Sequence, residues 1–290
     1  AEKAKEKILT YAKNFGIEEV IIKEIVTKGD QVQDKRLAEV GGNFEVIVID
    51  DNSTDPAIKA ASAQFGFEFI LGSGGKGRHG GLYSNMQLAF DLAVKRRFSF
   101  LMVMQDDMQL VRPFNDCLER EYVAIFNADS EIASIDYRFT RSGFSGVYNS
   151  KIGAYFSPMR YTYSDVGLFH VGRLIKMNWR FDKFNHPFVA SEQLMITEAI
   201  DAELVKVTPR TPIAMHIPFP RLIRNKVTLP RLSRFFRRLY TYDTMTADEM
   251  IAMDNRHYDD EPNFRKYLRF SNVNVIDRWF LNVKRDSKIF

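Results

Sequence analysis

The chain has 290 residues, 45% of them hydrophobic and 27% charged, which is enough to bury one large core or two modest ones and too apolar for a disordered chain. Its formal net charge of +4 is mild, but it is distributed unevenly. A single cysteine, Cys117, excludes an internal disulfide and fits a reducing compartment; no Cys/His set has zinc spacing, and no apolar run approaches the ~20 residues of a membrane-spanning helix.

In chain order, helix and strand patterns alternate, which predicts an α/β domain built on a doubly wound, mostly parallel sheet flanked by helices. The first residues, Ala-Glu-Lys-Ala-Lys-Glu-Lys, are too charged for a signal peptide, and an opening on Ala1 rather than Met is what a trimmed chain or one part of a longer polypeptide presents. Lys5 to Phe15 reads as a helix, Glu19 to Val26 as a β-rich run, and Gly29 to Val40 as a second helical stretch stopped by Gly41-Gly42. Phe44 to Ile49 is near-continuously apolar, the pattern of a strand buried on both faces. Asp50 to Pro56 then forms a turn with Ser53 or Thr54 placed to cap a helix running through Gln64.

A strand from Phe67 to Leu71 leads into Gly72 to Gly81, six glycines in ten residues. Lys76, Arg78 and His79 stand within that loop, in reach of phosphates if a ligand lies there. Leu82, Met86, Ala89, Phe90 and Ala93 follow at helical spacing, and Phe98 to Met104 forms another apolar strand ending on Gln105-Asp106-Asp107. Gly143 to Tyr163 reads as loop or short strands, Val166 to Trp179 and Phe188 to Ala202 as helices around a Phe181-Asp182 turn, and Val205 to Val207 as a short strand. From Arg221 the chain reads as a helical C-terminal extension, which sets a first unit at 1–220 and a second at 221–290. Arg221 to Arg238 holds seven cations and no acid, suited to an anionic membrane surface or a phosphorylated acceptor, or simply to a solvated face. Nucleic-acid binding has only that stretch, with Phe235, Phe236 and Tyr240 interleaved, in its favour and ranks below membrane contact through 221–240.

The chemistry concentrates where two strands each end in paired carboxylates, Asp50-Asp51 and Asp106-Asp107. In open α/β sheets ligands bind beyond the carboxyl ends of the strands, so both pairs are expected to face one crevice. Adjacent acids repel one another and gain nothing from a core, but they suit a cation or the donors of a ligand. A diphosphate held through magnesium or manganese needs one or two protein carboxylates, which Asp106-Asp107 can supply. Read as structure alone, Asp50 to Ser53 is a polar turn with a helix cap.

FEVIVIDDNSTD, Phe44 to Asp55, resembles the nucleotide-binding strand and turn of family 2-type glycosyltransferases, which share the GT-A fold. Gly80-Gly81 followed by Asn85 resembles that family's glycine-then-asparagine helix, and FLMVMQDDMQLVRP its strand ending in the metal-binding acidic motif. The resemblance runs from about Glu19 to His216. It implies transfer of a sugar from a nucleotide-diphosphate sugar, most commonly a uridine diphosphate sugar, to a carbohydrate or lipid-linked acceptor with inversion, as in polysaccharide biosynthesis at the cytoplasmic face of a membrane. Carried over residue by residue, Asp51 accepts from the base or ribose with Asp50 in support, Asp106 approaches the ribose, and Asp107 the Mn2+ or Mg2+ ion. Ser53, Gly80 and Asn85 complete the nucleotide contacts. Glu192, in Ser191-Glu192-Gln193, is the general base, and His216 is a further metal or diphosphate ligand, as a late histidine is in some members.

The chain departs from the family pattern at Gln105 and Gln193, where acids are usual, and at Val26-Thr27-Lys28-Gly29, which replaces the common threonine-tyrosine-asparagine turn. Those substitutions suit a nucleotide-sugar-binding module without catalysis. A nucleotidyltransferase is the rival enzyme class, yet Thr27-Lys28-Gly29 is far sparser than its glycine-rich basic signature. A dinucleotide-dependent dehydrogenase lacks its G-x-G-x-x-G after the first strand.

Overall fold

The computed structural model describes residues 45–51, 59–60, 62–63, 66–72, 81–105, 108–141, 144–161, 165–184, 191–216 and 241–271. The helices expected over 5–15 and 29–40, the run 19–26, and the basic stretch 221–238 lie outside them.

Strands β1 (Ile47–Asp50) and β2 (Glu68–Leu71) pair in parallel, Asp50 opposite Leu71. Arg96 clamps the start of this pair, reaching Glu45 and lying 2.7 Å from Glu68. Helix α1 (Leu82–Lys95) follows and packs against both β1 and β3 (Phe100–Val103). Its buried face is Tyr83, Met86, Gln87, Phe90 and Ala93. Met86, Phe90 and Ala93 lie on that face as expected, while Tyr83 and Gln87 are buried in place of Leu82 and Ala89.

Then come β4 (Met108–Leu110), α2 (Asp116–Ala128), β5 (Ile132–Ile135), β6 (Val147–Asn149), β7 (Ala154–Tyr161), β8 (Gly167–His170) and α3 (Val171–Lys176). A short 3-10 helix (Asp182–Phe184), α4 (Ser191–Asp201), β9 (Val205–Pro209) and β10 (Ala214–His216) complete the body. The last part contributes β11 (Thr241–Tyr242), α5 (Ala247–Asp254), α6 (Phe264–Tyr267) and β12 (Phe270–Ser271). Asn115 caps α2 by accepting from the Leu118 amide at 3.1 Å, and Thr246 with Glu249 forms a capping box on α5.

The central sheet has six strands in the order β3-β8-β5-β9-β7-β6. Alternate side chains of its middle strands enter two cores, as a strand period of two requires. Leu168 faces Tyr122, Ile125 and Phe126 of α2, whereas its neighbour Phe169 faces Phe90 of α1, Leu174 of α3 and Met195 of α4. In β5, Ala133 joins the second core while Ile132 and Ile135 both join the first. A register shift between Ile132 and Ser134 accounts for that break in the alternation. The result is a mixed α/β fold with a central sheet covered by helices on both faces.

Three expectations are corrected. The sheet is not mostly parallel: among the described ladders only β5–β9 and β1–β2 are parallel, because β8 runs back between β3 and β5 and β7 back beside β9. Val166 to Trp179 is a strand and a short helix, since an apolar run that satisfies both periods is divided by tertiary pairing. Gly167, at φ +155, lets β8 close on β5, where a Cβ would stand 2.9 Å from the Ile135 carbonyl. Finally, β1 and β3 begin later than expected and are half-buried rather than enclosed on both faces.

Residues 241–271 are bound to this body. Val111, Phe139 and Met215 share a core with Tyr242, Met245, Met253 and Leu268. The Arg112 guanidinium forks onto Asp254 at 2.7 and 3.0 Å. Gln109, 1% exposed, donates to the Tyr242 carbonyl at 2.7 Å and accepts from the Tyr242 amide at 2.8 Å. Replacing Gln109 with Leu leaves two buried backbone groups without partners, each worth about 1–3 kcal/mol. Gln109→Leu is therefore expected to lower the unfolding free energy by at least about 2 kcal/mol in urea titrations; an unchanged midpoint would mean that this pairing does not hold the C-terminal part in place.

Candidate functional site

Two groups of polar residues form at strand ends. The first is at β1 and β2. The Asp51 carboxylate accepts from the Gly81 amide at 2.6 Å, which joins the end of β1 to the start of α1 across the glycine-rich segment. A negative charge there also faces the positive end of the helix dipole. The Gly72 amide donates to the Asp50 carbonyl at 2.7 Å, so β2 is held against β1 to its last residue.

Both glycines are needed for this approach. A Cβ on Gly81 would stand 2.0 Å from Asp51 Oδ1, and one on Gly72 would stand 2.1 Å from Asn85 Oδ1. Asn85 Oδ1 is itself buried with no hydrogen-bond partner among the described residues. An orphaned acceptor between two glycine-lined approaches fits a ligand that brings a donor. Asp50, Asp51, Gly81 and Asn85 are thus gathered in one place. Ser53, Gly80 and the loop residues Lys76, Arg78 and His79 lie outside the described residues, as do Asp106 and Asp107.

The second group lies beyond β5 and β3. Tyr137, fully buried, donates its hydroxyl to the Val103 carbonyl at 2.5 Å and ties the chain leaving β5 to the end of β3. That chain runs beside β10 through Phe139 N–H to Ala214 O at 2.9 Å and Ile213 N–H to Tyr137 O at 2.8 Å. On its other side β10 pairs with β4, His216 opposite Met108. His216 is therefore in register with the residue that follows Asp107 in the sequence.

Around His216 sits an ionic cluster that the sequence reading missed. The Arg138 guanidinium forks onto Asp136, Nε to Oδ1 at 2.6 Å and Nη2 to Oδ2 at 2.7 Å. Its Nη1 lies 2.8 Å from His216 Nε2 and 3.7 Å from Asp165. Lys206 of β9 reaches Asp136 at 3.2 Å. Burial by itself would raise the Asp136 carboxyl, but the charges of Arg138 and Lys206 outweigh it and hold the group well below the usual carboxylate range. Burial depresses the Lys206 ammonium, with Asp136 opposing. A clue was present in the sequence, since Asp136 and Arg138 flank Tyr137 directly after an apolar run. Their partners come from segments 27 to 78 residues away, and no spacing rule reaches that far.

Glu192 stands in the first turn of α4. The segment leading there packs on the first two turns of α1: the Tyr83 and Phe184 rings meet edge-on at 5.7 Å, and the Phe181 amide donates to Gln87 Oε1 at 2.8 Å. Asp182 is occupied by Arg180, whose hydrogen bonds lower its carboxyl below the ordinary value. Among the described residues no three metal-ligating side chains converge, and no helix is long and apolar enough to cross a membrane.

No protein-family model matches the chain, and no curated protein sequence matches it significantly. Among solved structures, the crystal structure of S. aureus TarS aligns over 83% of this chain and 42% of its own, at 15% identity and a TM-score of 0.41. The crystal structure of S. aureus TarS 1-349 aligns over 68% and 56%, at 18% identity and a TM-score of 0.39. The chain thus spans about half the length of the solved structures it matches. Likeness of this degree assigns no activity, and the chemistry is read from the residues.

Two outcomes follow from this geometry. Gly81→Ala is expected to displace Asp51 and cost about 1–3 kcal/mol in thermal unfolding; an unaltered melting curve would contradict the close approach. Because the folded value of Asp136 lies below its unfolded value of ~3.9, its pairing stabilises above that pH, and the contribution is lost as pH falls through the folded value. Unfolding free energy is expected to decline below about pH 4. Asp136→Asn should flatten that decline in denaturation series at stepped pH, and equal slopes in the two proteins would exclude the pairing.

Proposed function

We propose that the chain is a glycosyltransferase that moves a sugar from a nucleotide-diphosphate sugar to an acceptor hydroxyl with inversion. The observation that carries this reading is the gathering of Asp51, Gly81 and Asn85 at one strand edge, with glycine at both points of close approach. The nucleoside occupies that edge, with Asp51 accepting from base or ribose and Asp50 behind it. The donor diphosphate lies toward the end of β3, where Asp106 approaches the ribose and Asp107 holds Mn2+ or Mg2+. The ion, when bound, stabilises charge on the departing diphosphate. His216 pairs opposite Met108, the residue that follows Asp107 in the sequence.

Glu192, in the first turn of α4, takes the proton of the acceptor hydroxyl as its oxygen attacks the anomeric carbon. A carbohydrate or lipid-linked acceptor, with membrane-surface contact through 221–240, completes the reading. Gln193, exposed directly after Glu192, favours the second reading, a nucleotide-sugar-binding module without catalysis.

The test is a screen of nucleoside diphosphates for thermal stabilisation with and without Mn2+. Ligand at about 100 times its Kd stabilises by roughly 2.7 kcal/mol, so the matching base should stand apart. Asp107→Asn is expected to remove the manganese-dependent part, and Glu192→Gln to keep binding while losing metal-dependent release of the sugar. No response to any base would sink the nucleotide-sugar reading. Binding without sugar release by the wild type would select the binding module.

A further inference from the structure

A cleft of about 390 Å3 opens at the end of the central sheet opposite to the site of Asp51, within the ~300–1,000 Å3 range of small-molecule sites. Phe100 begins β3 and pairs with His170, the last residue of β8, whereas the far end of β3 meets Tyr137. Helix α1 spans the same distance: Gly81, at its start, donates to Asp51, and Val94, near its end, lines the cleft. Its 14 residues separate the two by about 20 Å.

The walls are apolar. Phe98 and Phe100 line the cleft, and Val94 and Ile175, 38% and 51% exposed, form the outer part of its lining. The charge along it has one sign. Arg97 lines the cleft without an ion-pair partner among the described residues, and no carboxylate lines it beside that cation. Burial first, and then the positive charges of Arg173 and Lys176, hold the His170 imidazole below its ordinary value, so the ring is uncharged at neutral pH. Its Nδ1 is buried and makes no hydrogen bond among the described residues.

Two lining residues run against local backbone preference. Arg97 has φ +62 in the turn that ends α1, which is closed by Phe98 N–H to Ala93 O at 2.9 Å and Arg97 N–H to Val94 O at 3.1 Å. Glycine is the unstrained residue at that position. Asn178 and Glu203 end α3 and α4 with a positive φ too, and Arg97 is distinguished from them by the cleft that it lines. Gly172 is the reverse case. It stands in the first turn of α3, where a Cβ would meet His170 Cε1 in ordinary contact at 3.4 Å, so packing does not exclude the better helix former alanine. Breaks in local preference gathered at one cleft are what a binding site produces.

We infer that this cleft binds a small amphipathic anion, whose carboxylate or phosphate head pairs with Arg97 and whose hydrocarbon part lies on Phe98, Phe100, Val94 and Ile175. Charge selects an anion, since a guanidinium without an acid is joined there by a neutral imidazole and nothing that repels a negative head. The hydrocarbon part covers apolar surface that otherwise faces water. The inference goes beyond glycosyl transfer and does not rest on it, because the cleft shares no residue with the site of Asp51 and Asn85.

The test titrates octanoate and octyl phosphate into the uniformly 15N-labelled full chain. Octanol serves as the tail without charge and acetate as the charge without tail. The ring signals of His170 are assigned by their loss in His170→Gln. At least one octyl anion is expected to shift those signals and to bind about tenfold or more tighter than either control, and the one that binds identifies the head group. Arg97→Gly is expected to melt at the same or a higher temperature, because the left-handed turn is relieved, while affinity for that anion falls about tenfold or more and octanol is unaffected.

No binding of either octyl anion at up to about 5 mM overturns the inference, as does binding that leaves the His170 signals unmoved. Octanol or acetate binding as tightly as the octyl anions removes the need for head and tail together and overturns it as well. Unimpaired binding by Arg97→Gly means that the guanidinium is not the partner, and the inference falls. Should that variant fail to fold, the four wild-type titrations decide alone.

Discussion

A carboxylate taken out of water has to be answered by cations and donors, and at the end of β5 Asp136 is answered by Arg138 and Lys206. Much of the organisation beyond the central sheet can be traced to that requirement. Lys206 belongs to β9, Asp165 precedes β8, and His216 ends β10, so one ionic cluster collects the edges of several separate segments. Removing a single member would strand the others, which makes the arrangement nearly all-or-none.

The same cluster is positioned against the end of β3 by a different kind of contact. Tyr137 has no exposure to solvent, and its hydroxyl finds the Val103 carbonyl, so burial of the ring and satisfaction of its polar tip are met together. The ring's neighbours, Asp136 and Arg138, then fall on either side of it, and β10 follows them through backbone pairing. Local chain geometry therefore places His216 between the arginine and the strand that begins at Met108.

At the other edge, the two glycines and Asp51 work by absence of side chain. Gly81 and Gly72 leave room for Asp51 and Asn85, and any larger residue would have to displace them. α1 carries this edge, since its first turn receives Asp51 while its buried face rests on β1 and β3. The segment before α4 contacts α1 through Phe184, whose ring meets Tyr83, and through the Phe181 amide, which donates to Gln87. One helix thus relates the edge at Asp51 to the segment that leads to Glu192.

Amino-acid order alone determined the alternation of elements, the helix after the glycine-rich loop, a helix through Glu192, and the acids Asp50-Asp51 at the end of β1. Each depends on neighbours within about one or two turns, where periodicity, capping and turn chemistry act. Only the tertiary structure decided that β8 runs antiparallel between β3 and β5, because a run such as Gly167 to His170 satisfies strand and helix periods alike until a partner strand is present. It also decided that residues 241–271 close over Val111 and Met215, and that Arg138 lies 2.8 Å from His216 Nε2. Those outcomes join residues tens to more than a hundred positions apart, and what selects them is burial of shared surface and the need to satisfy polar groups once water is excluded.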